Sequence, residues 1–320
     1  MKKIDLSQTG VKVSRLSLGT LRFGTRNTYE ESAQLMDMYY EVGGRFIDTA
    51  NSYDQWCSQG KGGESQVTIG RWLRERNNRD EIFLATKVGF GYGDVPDGLA
   101  ASTIISECEN SLKQLGTDHI DLYYSHKDDP NTPLEETLGA FAKLVKDGKI
   151  RFFGASNYLA WRLADADAIC KEHGWPEFTC VEQRFTYLQP NPGGDFGPQK
   201  LIDQNLMSYC DARGKTMLSY TPLLRGAYVR KDRPIPDPYV SRDTDARLAV
   251  LKEIANELAA TPNQVVLAWM MHRQPPIIPV FSARTPTQMQ ENLGALQISL
   301  SSEQMTRLDE AGNCPNNEVV

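Results

Sequence analysis

Eight short apolar runs, separated by stretches with helical periodicity, constrain this chain more than any other feature. The runs are Arg15 to Thr20, Arg45 to Asp48, Ile82 to Lys87, Ile120 to Tyr124, Ile150 to Gly154, Thr179 to Glu182, Thr216 to Ser219 and Ile277 to Val280. They are continuously apolar rather than alternating, as in a parallel sheet covered by helices. Helical pattern fills 28–42, 64–76, 100–115, 133–146 and 158–173. Thr132-Pro133-Leu134-Glu135, Thr261-Pro262-Asn263-Gln264 and Thr285-Pro286-Thr287-Gln288 each read as an N-cap, a proline at the first helical position and a capping-box residue. Eight βα units in about 300 residues predict an α/β fold, a (β/α)8 TIM barrel rather than an open doubly wound sheet. A polar hairpin across 3–13, turning at Gln8-Thr9-Gly10, is expected as a lid, with extra C-terminal helices after the last strand. With no internal repeat and no linker composition, residues 1–320 read as a single domain.

Charge and composition narrow the class. A net charge of −6 argues against a nucleic-acid partner, which calls for a basic face. No run of about 18 apolar residues exists, so no membrane span is expected. The start Met1-Lys2-Lys3-Ile4-Asp5 lacks the apolar region of a signal peptide, which points to a cytoplasmic protein. Six cysteines, at 57, 108, 170, 180, 210 and 314, form no CxxC and no histidine-linked spacing, so no metal site is expected. His119, His173 and His272 receive no role.

In a barrel, side chains at the carboxyl ends of the strands converge on one face. Asp48 and Tyr53 follow the second strand, Lys87 ends the third and His126 follows the fourth. A carboxylate, a phenol, an ammonium and an imidazole in neighbouring loops can donate a proton to a carbonyl oxygen. A free phenol titrates near about 10. An ammonium about 4 Å away contributes roughly 4 kcal/mol at an effective dielectric of 20, so Lys87 is expected to lower that value by up to about 3 units. Asp48 would hold Lys87 charged, and His126 would position the carbonyl. A phenol acting as acid needs a hydride donor opposite it, which implies a nicotinamide. Gly89-Phe90-Gly91-Tyr92-Gly93 is no dinucleotide fingerprint, because Asp94, Pro96 and Gly98 follow it instead of a helix.

These residues carry a resemblance. Over about residues 4–310 the chain resembles the aldo-keto reductases. Gly43 to Tyr53 is similar to their strand-two motif, Thr86-Lys87 to the lysine motif, and Ser125-His126 with Asp129 to Pro133 to the histidine segment. The resemblance implies catalytic roles for Asp48, Tyr53, Lys87 and His126. It implies a cofactor site at Gly19, Thr20, Leu21 and Asp48, with Ser156, Asn157 and Gln183 gripping the carboxamide and Tyr220 stacking on the nicotinamide. Pro222, Leu223 and Arg225 would continue that site, and Ser282, Arg284, Gln288, Glu291 and Asn292 would hold the adenosine half. Arg284 can meet a ribose phosphate with two parallel hydrogen bonds, so NADP(H) is expected over NAD(H). Tyr53, Trp56, His126 and Asp128 are the expected substrate contacts. Many relatives carry an aromatic residue where Asp128 stands. With the lengthened polar loop 54–61 and the charged segment 225–247, this favours a sugar-like carbonyl or alcohol substrate. A monomer or weak homo-oligomer is expected. The alternatives are a cofactor-binding regulatory module with little turnover and a Schiff-base lyase using Lys87.

Overall fold

The computed structural model describes residues 1–55 and 60–312. A two-stranded hairpin, β1 (Lys3–Asp5) and β2 (Lys12–Ser14), opens the chain. The strands β3 (Ser17–Gly19), β4 (Phe46–Asp48), β5 (Phe83–Val88), β6 (Ile120–Ser125), β7 (Ile150–Ser156), β8 (Cys180–Arg184), β9 (Thr216–Tyr220) and β10 (Ile277–Phe281) follow. They are parallel and close on themselves, β10 pairing with both β3 and β9. The eight expected runs are therefore the eight barrel strands, and the fold is a (β/α)8 barrel.

The outer layer consists of α1 (Tyr29–Glu41), α2 (Glu64–Arg76), α3 (Ala101–Leu115), α4 (Leu134–Lys146), α5 (Ala160–His173), α6 (Gln204–Arg213), α8 (Pro262–His272) and α9 (Pro286–Gly294). Two further helices are α7 (Thr244–Glu257), inserted between β9 and α8, and α10 (Ser302–Glu310) after α9. The extra helical mass is thus split, with only α10 lying beyond the last barrel unit. Thr28, Thr261 and Ser301 form complete capping boxes at α1, α8 and α10. Two expected boxes differ. Thr132 donates its hydroxyl to Asp129 and leaves α4 to begin at Leu134, with Pro133 at the N-cap and no side-chain cap. Thr285 caps α9, but Gln288 Oε1 accepts from the Arg284 amide instead of closing the box.

Strand side chains alternate, so every second residue enters the barrel. Phe46, Phe83, Ala85, Leu122, Tyr124, Cys180, Leu218, Ile278 and Val280 fill the interior, and Leu6 and Val13 of the hairpin close its lower end. The hairpin is a lid on the face opposite the strand carboxyl ends. Ser7 is fastened there to Thr179 and Thr216, which precede or open β8 and β9. At Gly154 a Cβ would stand 2.7 Å from the Tyr124 ring, so glycine leaves the interior volume to that phenol.

Candidate active site

The alternation that fills the barrel also delivers the polar layer above it. Two residues beyond Phe46, Ala85 and Cys180 come Asp48, Lys87 and Glu182, each at most 2% exposed. Two beyond Leu218 comes Tyr220, and two beyond Tyr124 comes His126. Tyr53 reaches back over this layer from the loop after β4. Its hydroxyl is 3.1 Å from Lys87 Nζ and 3.2 Å from Asp48 Oδ1. Lys87 also donates to Asp48 and to the Thr49 carbonyl at 3.1 Å, and Glu182 Oε1 lies 3.6 Å away. The four expected groups are in one place: the His126 ring sits edge-on to Tyr53, 6.0 Å between centroids.

Burial alone pulls the Lys87 ammonium down, yet the carboxylates of Asp48 and Glu182 outweigh it and hold Lys87 well above the usual lysine range. Glu182 is driven the other way, up to about 8, by burial and by the neighbouring Asp48 charge. His126 is held well below its ordinary value by burial and then by Lys87 and Lys127, so it is a neutral imidazole. The expectation for Tyr53 is corrected. Its phenol is raised rather than lowered: burial dominates, and Asp48 and Glu182 offset the attraction of Lys87. Tyr53 thus holds its proton at rest, and the ammonium acts on the phenolate only as that charge develops.

The loop carrying Tyr53 is well anchored. Asn51 Nδ2 and the Tyr92 hydroxyl both donate to the buried Glu107 carboxylate, at 2.7 and 2.6 Å. Asp54, in the left-handed region at φ 61°, accepts from Thr25.

Gly19 lies at the end of β3, where a Cβ would come within 3.0 Å of Val280. Thr20 bonds the Asp48 carbonyl through both its amide and its hydroxyl, at 3.0 and 2.8 Å, and Leu21 is half-buried beside it. Asn157, left-handed at φ 62°, donates to the His126 carbonyl at 2.9 Å and to Ser156 Oγ at 3.0 Å, and accepts from the Lys200 amide and the Tyr220 hydroxyl. Gln183 Nε2 donates to the Leu201 carbonyl, while its buried Oε1 has no partner among the described residues. A buried, unpartnered acceptor at the carboxyl end of β8 fits the amide of a nicotinamide.

The loop after β9 is unusual in its backbone. Thr221, Leu224 and Arg225 all take positive φ, a conformation that costs non-glycine residues stability and is held at functional loops. Pro222 accepts from Thr186 at 2.6 Å, and Leu223 packs between two apolar clusters. Arg225 and Arg284 are exposed, and together with Arg26 they depress Arg22, whose own burial is the larger cause. Arg22 and Arg26 were not singled out in the sequence; a basic pair just after the first strand is the signal that marks them. These four guanidiniums make no ion pair with a carboxylate among the described residues, a fit for an anionic ligand carrying several phosphates.

The segment after β10 divides. Ser282 is exposed, and its carbonyl accepts from Asn292. Gln288 is engaged with the Arg284 amide at 2.8 Å. The Glu291 carboxylate accepts from Thr261 at 2.8 Å and Asn263 at 3.2 Å, fastening α9 to the start of α8. Both donors meet Oε1, so Glu291 takes part in the helix packing in this structure. On the substrate side, Asp128 pairs with Arg162 at 3.2 Å, and Lys127 pairs with Asp97. Phe90 stands edge-on to His126 at 4.8 Å. Trp56, an expected substrate contact, lies outside the described residues.

Known proteins align with this reading. A family model described as the aldo/keto reductase family matches residues 15–313. Norsolorinic acid reductase stcV of Emericella nidulans is 31% identical over 321 residues, covering 94% of this chain and 79% of that protein. An uncharacterized oxidoreductase, YrpG, of Bacillus subtilis is 29% identical and covers all of this chain and 98% of its own. The crystal structure of the thermostable aldo-keto reductase Tm1743 with the inhibitor epalrestat superposes with a TM-score of 0.75 at 28% identity, covering 97% of this chain and all of that one. With the match spanning nearly the whole chain and the phenol, ammonium, carboxylate and imidazole set in one barrel mouth, the chain belongs to the aldo/keto reductase family, oxidoreductases that interconvert carbonyls and alcohols with a nicotinamide cofactor.

Proposed function

We propose that this protein reduces an aromatic carbonyl compound with NADPH, Tyr53 being the proton donor. The observation that carries the reading is the 3.1 Å contact between the Tyr53 hydroxyl and a Lys87 ammonium that the buried Asp48 carboxylate keeps charged. Ser156, Asn157, Gln183 and Tyr220 would hold a nicotinamide, which would supply the hydride. Neutral His126 can donate a hydrogen bond to the carbonyl oxygen and orient it, without competing as an acid. Tyr53 delivers its proton to that oxygen, and Lys87 stabilises the resulting phenolate, a charge that exists only late in the reaction. Asp48 keeps the ammonium aimed at the phenol. A Schiff-base lyase is disfavoured by the same geometry, since an amine kept protonated by a buried carboxylate is no nucleophile.

For the cofactor, the four guanidiniums at the mouth support NADP(H) over NAD(H), with Arg26, Arg225 and Arg284 exposed and Arg22 half-buried. For the substrate, Phe90 against His126 gives the site an apolar wall beside the reacting group. The relatives' names include norsolorinic acid reductases and an aryl-alcohol dehydrogenase. The sugar-like substrate expected from the charged rim is the second reading, favoured by the half-buried Lys127 and Asp128. It is weakened because each already has an ionic partner. Absorbance of NADPH during incubation with a panel of aryl aldehydes, aryl ketones and aldoses tests both. Turnover of aldoses alone would overturn the aromatic reading, and turnover by Tyr53→Phe equal to the parent would overturn the mechanism.

A further inference from the structure

Glu182 is the one acid in the polar layer to which the reaction above gives no task. It enters the barrel from β8, two residues beyond Cys180, and is 2% exposed. Facing it are Asp48 from β4, Tyr53 from the following loop, Lys87 from β5, Tyr124 from β6, Cys180 on its own strand and Tyr220 from β9. Of these Lys87 alone is a cation, and it already pairs with Asp48. Two carboxylates on one buried ammonium leave an uncompensated negative charge in a dry site, and their mutual repulsion opposes it. Glu182 Oε2 and Asp48 Oδ2 are both buried without a partner among the described residues, and the Asp48 charge opposes ionisation of Glu182. A proton held between the two acids supplies the missing donor.

We propose that Glu182 is the proton store of the site, a carboxylic acid at rest that recharges Tyr53 through Lys87. The inference rests on Tyr53 being the donor to the carbonyl oxygen. Once Tyr53 has given up its proton, the phenolate takes one from Lys87 Nζ across 3.1 Å: an N–H bond breaks and the phenol O–H forms. The neutral amine then takes the Glu182 proton, so the carboxyl O–H breaks and the N–H is restored. The 3.6 Å between Oε1 and Nζ is an ion-pair separation that side-chain motion closes to a hydrogen bond. The result is phenol, ammonium and two carboxylates, with no electrons moved. A solvent proton returns to Glu182 when product leaves, and alcohol oxidation runs the sequence in reverse. Because it acts through Lys87, Glu182 is a positioning residue for the proton and does not touch substrate.

Two measurements test this. Infrared difference spectra of the full chain across neutral to alkaline pH read Glu182 without turnover. A buried carboxylic-acid band is expected at neutral pH, lost as pH rises past about 8 and missing in Glu182→Gln. Absence of the band in the parent, or its persistence in Glu182→Gln, overturns the proposal. Should Glu182→Gln not fold, Glu182→Asp reads the same band, which must move with the shortened side chain; a band left in place also overturns it. The second measurement is kcat against pH with NADPH and the best carbonyl substrate. The parent should lose reduction by about tenfold per pH unit above the limb and gain oxidation across it. Glu182→Gln should lose that limb in both directions, and Glu182→Asp should restore it. Superposable profiles in parent and Glu182→Gln overturn the proposal. If no carbonyl is reduced by the parent, the reading of Tyr53 fails, while the infrared result still decides the state of Glu182.

Discussion

The Tyr220 hydroxyl donates to Asn157 Oδ1 across 2.6 Å, tying the loop after β9 to the end of β7. Asn157 also holds the Lys200 amide, the His126 carbonyl and Ser156, so one left-handed asparagine fixes three loops of the mouth. Replacing it strands a buried amide and a buried carbonyl, at about 1–3 kcal/mol for each unsatisfied group. Asn157→Ala is expected to lower stability by at least about 2 kcal/mol, whereas Tyr220→Phe should lower it by only about 1 kcal/mol. Urea unfolding midpoints check this. Equal losses in the two variants would show that the asparagine does not anchor the mouth.

Tyr53→Phe removes the only atom of the phenol that reaches Lys87 and Asp48. The apolar body of the side chain stays, so NADPH affinity should be little changed. Carbonyl reduction should lose at least about 100-fold in kcat, the scale of general acid catalysis. Steady-state kinetics with fluorescence titration of the cofactor separate the two effects.

Lys87→Met leaves Asp48 and Glu182 facing each other without a cation. Breaking a buried ion pair in this way costs about 3–5 kcal/mol. The variant should be recovered in part by lowering the pH, because protonating Asp48 removes the uncompensated buried charge. Thermal unfolding from neutral to mildly acidic pH checks this, with the parent as control. A variant least stable in acid would contradict the charge arrangement.

Much of this was legible in the sequence, and the reasons for the gaps are physical. Continuous apolar runs located every barrel strand because a parallel strand buried on both faces needs them. Asp48, Tyr53, Lys87 and His126 were legible because an ionisable side chain at the end of a buried strand is costly unless it is paired or put to chemical use. Glu182 was visible as the last residue of its run, but counting by two from an interior residue requires knowing which strand residue faces inward. The direction of the Tyr53 shift is not legible in the sequence, because the burial that raises it and outweighs the field of Lys87 exists only in the folded mouth. The hold of Thr261 and Asn263 on Glu291 is not legible in the sequence, because they lie far away on another helix. The pairing of Asp128 with Arg162 is hidden for the same reason.

Glu291→Ala follows from that packing. It should destabilise the fold by about 1–3 kcal/mol, because Thr261 and Asn263 lose their acceptor. NADPH affinity should change much less than in Arg284→Ala. Differential scanning of both variants, with cofactor titrations, checks the contrast. A selective loss of cofactor binding in Glu291→Ala would return that carboxylate to the adenosine site.

His126 sets a pH dependence of known sign. Its folded-state value is depressed, by burial first and by Lys87 and Lys127 next. The unfolded chain therefore binds the extra proton more readily than the folded one, and stability rises with pH through this group. Its contribution is complete above the unfolded value of about 6.5 and is lost as pH falls below it, by at most about 1.4 kcal/mol per pH unit. Glu182 has the opposite sign, being raised when folded, so it weakens the fold as pH rises from the unfolded glutamate value of about 4.3 toward its own. The two effects separate by variant. Urea unfolding of the parent and of His126→Asn at neutral and mildly acidic pH should show the variant losing less stability on acidification. Equal losses would mean that His126 is already charged in the folded protein, and a charged imidazole would have to share with Tyr53 the role of proton donor.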